Sequence, residues 1–183
     1  MTAEHHSSLA HIRDVAATPP ATYTPDALDM EILKVLVEDA RTSQRQIATT
    51  LKVSAPTVGE RMAKMERQGV ITGYSAQVNW AALGYGQIVF LSIEAATGYD
   101  VAKIMDALWD LAEVEDVTLV TGDLDLLVRL RVRDYSHLRT ILMNQVWQIP
   151  GTQKTATLLS VAEMPPKDFA SHLLATISAE ESG

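Results

Sequence analysis

Residues 42–69 read TSQRQIATTLKVSAPTVGERMAKMERQG and contain two helical patterns separated by a short break. Ser43 and Ser54 are of the types that cap helix N-termini, and Pro56 is tolerated in a first helical turn. Gly69 is typical of the position just past a helix C-terminus. The apolar residues at helical spacing are Ile47, Ala48, Leu51, Val58, Met62 and Met65. Helices of about eight and fourteen residues around such a break predict a helix-turn-helix.

The charges of this region differ from those of the rest of the chain. Six basic and two acidic residues lie between Arg41 and Arg67, a net charge of +4 in a chain whose net charge is −8. A basic helical segment in an acidic chain is typical of a DNA-binding module. A solvated helical face with ordinary charges is the alternative interpretation.

The flanking segments set the limits of this domain. One apolar helical face upstream consists of Leu28, Ile32, Leu33, Leu36 and Val37. We predict a winged-type helix-turn-helix domain over 28–74, preceded by a flexible leader at 1–27 whose prolines disfavour helix and sheet. Residues 70–78 alternate and are rich in β-formers, which predicts a strand leaving the domain. We assign 75–86 to the linking strand and linker.

Residues 87–164 change to a pattern of strands and helices. The predicted elements are a strand at 87–95, a helix at 99–111, strands at 114–121 and 125–132, a helix that Asp134 caps and that runs through Trp147, and a strand at 152–163. This βαββαβ order predicts a ferredoxin-like (split βαβ) domain with an antiparallel sheet, and so an α+β chain. Apolar residues on both sheet faces favour sheet-to-sheet dimerisation. A short amphipathic helix is predicted in the tail, 165–183.

Composition excludes several classes of protein and site. The 183-residue chain has no Cys, which excludes disulfides, iron–sulfur clusters and a Cys nucleophile. No apolar run approaches the ~20 residues that span a bilayer, and the N-terminus lacks a secretory signal pattern. We therefore expect a cytoplasmic protein without a membrane partner. The adjacent His5 and His6 offer too few ligands for a metal, so neither a metal nor a cofactor is predicted.

Several short motifs follow one another from about residue 28 to 164. They are Leu28-Asp29, Arg41-Thr42-Ser43, Ile47-Ala48, Val53-Ser54, Arg61-Met62, ERQGVITGY at 66–74, GDLD at 122–125 and IPG at 149–151. In this order they resemble the Lrp/AsnC (leucine-responsive, feast–famine) family of transcriptional regulators. Two residues depart from the family pattern: Lys52 stands at the corner of the helix-turn-helix, often Gly in the family, and Gly59 interrupts the third helix. The leader and the tail exceed the usual family length.

The resemblance implies a site for double-stranded DNA on the second and third helices, with the N-terminal part of the third helix toward base edges. The predicted contacts are Arg45, Lys52, Ser54, Ala55, Thr57, Glu60, Arg61 and Lys64. Thr57 suits a thymine methyl or a phosphate, Glu60 suits cytosine, and Arg61 suits guanine or a phosphate. The other basic residues suit phosphates. The alternatives are an intramolecular ion pair for Arg61 and a solvated surface position for Glu60.

The resemblance also implies a small-molecule effector, most often an amino acid, bound between subunits near the GDLD turn. Gly122 frees the backbone to present N–H groups to a carboxylate, and Asp125 or Asp123 suits an α-ammonium group. The predicted effector residues are Leu119, Thr121, Gly122, Asp123, Asp125, Leu158, Leu159 and Ser160. Gly-Asp is also a favoured hairpin turn that needs no ligand.

The sequence thus predicts a transcriptional regulator that forms homodimers, assembles into tetramers or octamers, and responds to an effector. A DNA-architectural protein without an effector is the second hypothesis. The third is a tetrapyrrole decarboxylase, because relatives with this two-domain plan have that activity. A decarboxylase needs a His near a haem-like pocket, and His137, beside Tyr135, is the one His in the body of the chain. We expect a surface position for His137 and predict no enzyme.

Overall fold

The computed structural model describes residues 22–164 and 167–180. They form two compact units: residues 22–77 with 164 and 167–180, which we call the helical unit, and residues 78–163, which we call the sheet unit. The predicted leader up to residue 21, with His5 and His6, lies outside the described residues, as does Pro165-Pro166. Every helix in the described part of the chain is too short or too polar to span a bilayer.

The helical unit contains the predicted helix-turn-helix. Its first three helices are α1 (Ala27–Glu38), α2 (Gln44–Leu51) and α3 (Ala55–Arg67). Ser43 and Ser54 are the N-caps of α2 and α3, and Pro56 lies in the first turn of α3. The buried apolar side chains are Ile32, Leu36, Ile47, Ala48, Val58, Met62 and Met65. Three short helices share this core because each has an apolar stripe too narrow to be stable alone.

The corner between α2 and α3 has left-handed backbone at a residue other than glycine. Lys52 has φ 57° and ψ 40°, and its N–H donates to the carbonyls of Ala48 and Thr49. Left-handed geometry at a residue with a Cβ costs about 1 kcal/mol. The Val53 N–H also donates to the Ala48 carbonyl, at 3.0 Å. This further hydrogen bond at the end of α2 offsets the cost of the left-handed backbone.

A further helix, α6 (Phe169–Glu180), packs against α1 within the helical unit. Met30 is 3% exposed although it does not belong to the core around Ile32. On the helical wheel Met30 lies about 160° from Ile32, so it faces away from that core. We attribute its burial to α6, which supplies a second packing surface for α1.

The linking strand predicted from residues 70–78 is absent. Residues 72–79 form neither helix nor strand, and a short 3₁₀ helix follows at Trp80–Leu83. Val70 and Ile71 instead pack on the core of the helical unit, and their N–H groups donate to the Met65 carbonyl. Alternating β-formers give a strand only where another strand supplies hydrogen-bond partners, and no strand of the described chain pairs with these residues.

The sheet unit has the predicted βαββαβ order. Its elements are β1 (Gln87–Ala95), α4 (Val101–Trp109), β2 (Val114–Leu119), β3 (Leu126–Val132), α5 (Tyr135–Asn144) and β4 (Thr152–Leu159). The four strands are antiparallel in the order β2-β3-β1-β4. The strand predicted to reach 163 ends at Leu159, which pairs with Val89 near the start of β1. The predicted α5 ends early at Asn144, since Gln145 leaves helical geometry, and a 3₁₀ turn at Val146–Gln148 follows.

The two faces of the sheet differ in character. One face packs against the helices, and its fully buried strand residues are Val89, Leu91, Ile93, Leu126, Val128, Leu130 and Val132. Thr155 and Thr157 of β4 lie on the same face. On the other face, Phe90, Leu127 and Leu158 lie among charged residues. Arg129 contacts Glu115 at 2.9 Å, and its guanidinium lies 6.0 Å from the Phe90 ring centre. The second face thus carries apolar residues, as predicted, and ion pairs between strands satisfy the charged residues that lie among them.

Candidate DNA-binding and effector sites

The α3 helix presents a polar face opposite its buried side chains. On the helical wheel, the residues turned away from Val58, Met62 and Met65 are Pro56, Glu60, Lys64 and Arg67, and all four are exposed. Arg45 on α2 and Lys52 at the corner are exposed as well. With Arg41, which precedes α2, five of the six basic residues from Arg41 to Arg67 are therefore exposed to solvent.

The hydroxyl groups at the start of α3 have structural partners. Ser54 Oγ accepts a hydrogen bond from the Thr57 N–H at 3.2 Å and lies 2.7 Å from Thr57 Oγ1. Ala55 is half-buried. Ser54 thus caps the helix, and Thr57 is held by that cap at the edge of the exposed face. The methyl group and a remaining hydroxyl lone pair of Thr57 are the parts suited to a further contact.

Arg61 holds α3 to α1. Its guanidinium donates to the carboxylates of Asp26 and, at 3.2 Å, of Asp29. Asp29 is 1% exposed and also accepts from the Tyr23 hydroxyl at 2.6 Å. The intramolecular ion pair that was the alternative interpretation of Arg61 is therefore present, and a DNA contact by Arg61 stays a prediction. A buried carboxylate needs such partners because an unpaired buried charge is costly.

The ion pairs and hydrogen bonds around Asp29 shift the pKa values of two neighbouring groups, Asp26 and Tyr23. The backbone N–H of Asp29, and then the Arg61 guanidinium, hold the pKa of the Asp26 carboxyl below its usual value. The hydrogen bond to Asp29, assisted by burial, raises the pKa of the Tyr23 hydroxyl. Both shifts have the same origin, since each hydrogen bond stabilises one protonation state of its partner. The charged form of Asp26 is thus part of the native contact between α1 and α3.

Arg67 is a basic residue of the exposed face that the predicted DNA contacts omitted. It lies in the last turn of α3, one turn beyond Lys64. The Lys64 ammonium lies 5.1 Å from the centre of the Tyr23 ring, which restrains it near the start of the described chain. The spacing from Glu60 through Lys64 to Arg67, four and three residues, was the sequence signal that these side chains share one helical face.

The GDLD turn joins β2 to β3 as predicted. Gly122 has φ 128°, in the region that favours glycine. Two hydrogen bonds connect Asp125 to β1. Its Oδ2 accepts from the Ala95 N–H at 2.8 Å, and its own N–H donates to the Ile93 carbonyl at 3.0 Å. One carboxylate oxygen of Asp125 therefore tethers the turn to the end of β1, while Asp123 is exposed.

A cation that sequence reasoning missed lies at the same end of the sheet. Lys154 on β4 pairs with Glu94 on β1 at 2.6 Å and is 69% exposed. The Glu94 carboxylate raises the pKa of the Lys154 ammonium, and the charge of Asp123 raises it further. Glu94 and Lys154 are 60 residues apart and meet by cross-strand pairing, so no local sequence motif predicts their contact. This end of the sheet carries both signs of charge that an amino acid needs.

The structure does not bring all the predicted effector residues together within one chain. Leu119 and Thr121 lie beside the GDLD turn, where Leu119 pairs with Leu126 and Leu126 pairs with Ile93 of β1. Leu159 instead pairs with Val89, and the neighbouring Ser160 donates to the Ile88 carbonyl, at the opposite end of β1. Leu158 and Leu159 belong to the edge strand β4, which is separated from β2 by two strands because the strand order is β2-β3-β1-β4. A single-chain pocket of these residues is therefore ruled out by topology.

His137 is less exposed than predicted. Its side chain is 11% exposed, its Nε2 lies 3.1 Å from Glu113, and its ring meets the edge of the Tyr85 ring at 5.9 Å. A cavity of about 290 Å³ next to this cluster is lined by Trp80, Tyr85, Ala112, Glu113, Val114, Glu115 and Arg131. The described residues contain no group of His, Asp and Glu arranged to hold a metal ion. His137 is accounted for by its contacts within the sheet unit.

The comparisons with known proteins agree with both halves of the fold. Residues 25–72 match the winged helix-turn-helix DNA-binding family, and residues 88–167 match the Lrp/AsnC ligand-binding domain. The leucine-responsive regulatory protein of Klebsiella pneumoniae is 33% identical over 76% of this chain and 86% of its own length.

Two solved structures resemble the chain along nearly their whole length. Escherichia coli AsnC is 30% identical, with a TM-score of 0.74 over 80% of this chain and 99% of its own. A Neisseria meningitidis transcriptional regulator, solved as its complex with L-Met, is 19% identical, with a TM-score of 0.73 over 78% and 94%; this likeness concerns the fold alone. On these matches and on its two-unit architecture, the chain belongs to the Lrp/AsnC family of transcriptional regulators.

Proposed function

We propose that this regulator binds specific DNA sequences through the exposed face of α3 and that an amino acid effector controls the binding through the assembly of the sheet units. The observation that carries the first half is the basic, solvent-open surface of the helix-turn-helix, where five of six basic residues between Arg41 and Arg67 are exposed. Recognition helices lie in the major groove with their N-terminal residues toward base edges. In this proposal Thr57 and Glu60 contact bases, while Arg45, Lys52, Lys64 and Arg67 contact phosphates.

The DNA-binding half is tested by selecting binding sequences from a random DNA pool with the full chain and measuring affinities by fluorescence anisotropy. Lys64→Ala is expected to weaken binding to all sequences alike and to lower the salt slope by about one. Glu60→Gln is expected to change the preferred base at one position. Lys103→Ala, an exposed lysine on α4, is the matched control. Failure to enrich any sequence would contradict specific recognition and favour the architectural hypothesis.

The effector half is supported by the charges at the GDLD end of the sheet and by the name of the leucine-responsive relative. An α-carboxylate suits Lys154 and the N–H groups near Gly122, and an α-ammonium group suits Asp123 and the second oxygen of Asp125. The side-chain pocket is completed by a second subunit, since Leu158, Leu159 and Ser160 lie at the far end of the sheet in their own chain. In this proposal homodimers assemble into tetramers or octamers, and the ligand shifts that equilibrium because it binds the assemblies unequally.

A thermal-shift screen against the twenty amino acids, followed by sedimentation with each ligand that binds, tests this half. At a ligand concentration of about 100 Kd the native state gains about 2.7 kcal/mol. Asp123→Asn and Lys154→Met are expected to remove the shift, and Lys103→Met to retain it. Asp125→Ala is a poorer probe, since it also removes the acceptor of the Ala95 N–H. No shift with any amino acid, or an unchanged sedimentation profile, would contradict effector-controlled assembly.

A further inference from the structure

Gly59 lies in the middle of α3, where a glycine weakens a helix relative to alanine. The structure gives a reason for it: a β-carbon at position 59 would lie 2.9 Å from the side-chain oxygen of Gln44. Such a separation is shorter than real β-carbons show. The missing side chain at position 59 therefore creates a seat on α3 that the Gln44 carboxamide fills.

Gln44 is the first residue of α2, and its side chain is exposed. The carboxamide oxygen is the atom nearest the seat, whereas Nε2 is 3.7 Å from the same β-carbon position. No hydrogen bond to another described residue holds this amide. The carboxamide oxygen thus lies against Gly59, and the two N–H donors of the amide are left for a partner outside the chain.

We propose that Gly59 positions Gln44 so that its amide donates a hydrogen bond to a phosphodiester oxygen of the DNA backbone, beside the bases that α3 contacts. The inference rests on the proposed DNA binding and adds a contact to it. In helix-turn-helix complexes the first helix of the motif crosses the backbone while the second enters the major groove. The neighbouring Arg45 is exposed on the same turn of α2 and supplies the charge that such a phosphate attracts.

Gly59→Ala tests this contact because it is expected to weaken DNA binding without lowering the stability of the protein. Alanine is the better helix former, and the atom it displaces is the far end of a flexible side chain, so the melting temperature is expected to stay equal or rise. The affinity for the selected DNA is expected to fall about tenfold, as for a lost hydrogen bond to a charged group. Thr50→Ala, at an exposed position of α2, is the control for helix stabilisation without a seat.

A double-mutant cycle tests whether the two residues act as one. Gln44→Ala alone and Gln44→Ala with Gly59→Ala are expected to bind as weakly as Gly59→Ala alone, because each removes the same contact. Gln44→Glu keeps the shape but adds a negative charge facing the phosphate, so its loss is expected to be larger. Gln44→Ala is expected to leave the salt slope unchanged, since a neutral amide releases no counterion, whereas Arg45→Ala lowers it by about one.

Three outcomes would overturn the proposal. Wild-type affinity in Gly59→Ala and Gln44→Ala, together with weaker binding by Lys64→Ala, would refute the seat and leave the proposed function standing. A changed sequence preference in Gln44→Ala would show a base contact in place of a phosphate contact. Absence of DNA binding by the unmodified chain would refute the proposed function itself.

Discussion

The two units secure their structures by different means. Of the described residues, fifteen buried apolar side chains form the core of the sheet unit, whereas seven form that of the helical unit. The helical unit adds a polar clasp, which we define as Tyr23, Asp26, Asp29 and Arg61. A small helical core gains little from burial alone, so directional contacts between α1 and α3 contribute a larger share of its stability.

The difference also makes the units separately observable. All three tryptophans, Trp80, Trp109 and Trp147, lie in the sheet unit. Tryptophan fluorescence therefore follows unfolding of the sheet unit, while far-ultraviolet circular dichroism follows both units. Substitutions in the apolar core of the sheet unit are expected to move the fluorescence transition, and substitutions in the polar clasp to move the circular-dichroism transition of the helical unit.

Gly151→Ala is expected to destabilise the sheet unit by about 2–4 kcal/mol. Gly151 has φ 88°, and a β-carbon there would overlap the Tyr99 ring. The fluorescence transition should move to lower denaturant while the circular-dichroism signal of the helical unit persists. Gly98→Ala is the matched control, because Gly98 has φ 80° with open space around it and so isolates the backbone cost. Equal effects of the two substitutions would contradict the packing argument.

Asp29→Ala is expected to cost the helical unit about 2–3 kcal/mol, because it leaves the Arg61 guanidinium and the Tyr23 hydroxyl without their shared acceptor. Circular dichroism should report the loss, and tryptophan fluorescence should not. Glu38→Ala, an exposed acid on the same helix, is the control. A loss shared equally by both probes would show that the two units unfold as one.

Removal of residues 165–183 is expected to destabilise the helical unit by about 1–2 kcal/mol, the effect of exposing an apolar side chain of the size of Met30. The measurement is thermal unfolding by circular dichroism. Met30→Gln in the full chain should reproduce most of the loss, since it alters the same contact without shortening the chain. An unchanged transition in both variants would mean that α6 does not cover Met30.

Acid is expected to weaken the helical unit first. The pKa of Asp26 is lowered in the native state, so its contribution is complete above the unfolded-state value of 3.8 and is lost as the pH falls through the lower native value. Unfolding followed by circular dichroism between about pH 5 and pH 2 should show this decline. Asp26→Asn should reduce the dependence of the free energy of unfolding on pH. If the substitution leaves that dependence unchanged, the acid sensitivity belongs to another group.

Local signals in the sequence predicted most of the fold. Ser43, Ser54 and Asp134 are the N-caps where the sequence placed them, and β1 occupies the predicted residues 87–95. These features depend on neighbours a few residues away. The strand predicted at 70–78 is the exception, because alternation reports only that one face of a segment is apolar and says nothing about a pairing partner.

The sites were harder to predict because their contacts are distant in sequence. Arg61 meets Asp26 and Asp29 across 35 and 32 residues, and Lys154 meets Glu94 across 60. A basic residue on a recognition helix carries the same sequence signal whether it binds phosphate or a carboxylate of its own chain. Gly59 shows the same limit. The low helix propensity of a glycine in this helix is evident from the sequence, but its partner Gln44 can be identified only from the positions of α2 and α3.

The place of α6 in the chain has a consequence for biosynthesis. This helix follows the whole sheet unit in sequence, yet it packs against α1, more than 130 residues earlier. The nascent chain can form the first three helices of the unit as they emerge, but α6 emerges only after the whole sheet unit. Completion of the helical unit therefore awaits synthesis of the sheet unit, and Met30 stays uncovered throughout translation of the sheet unit.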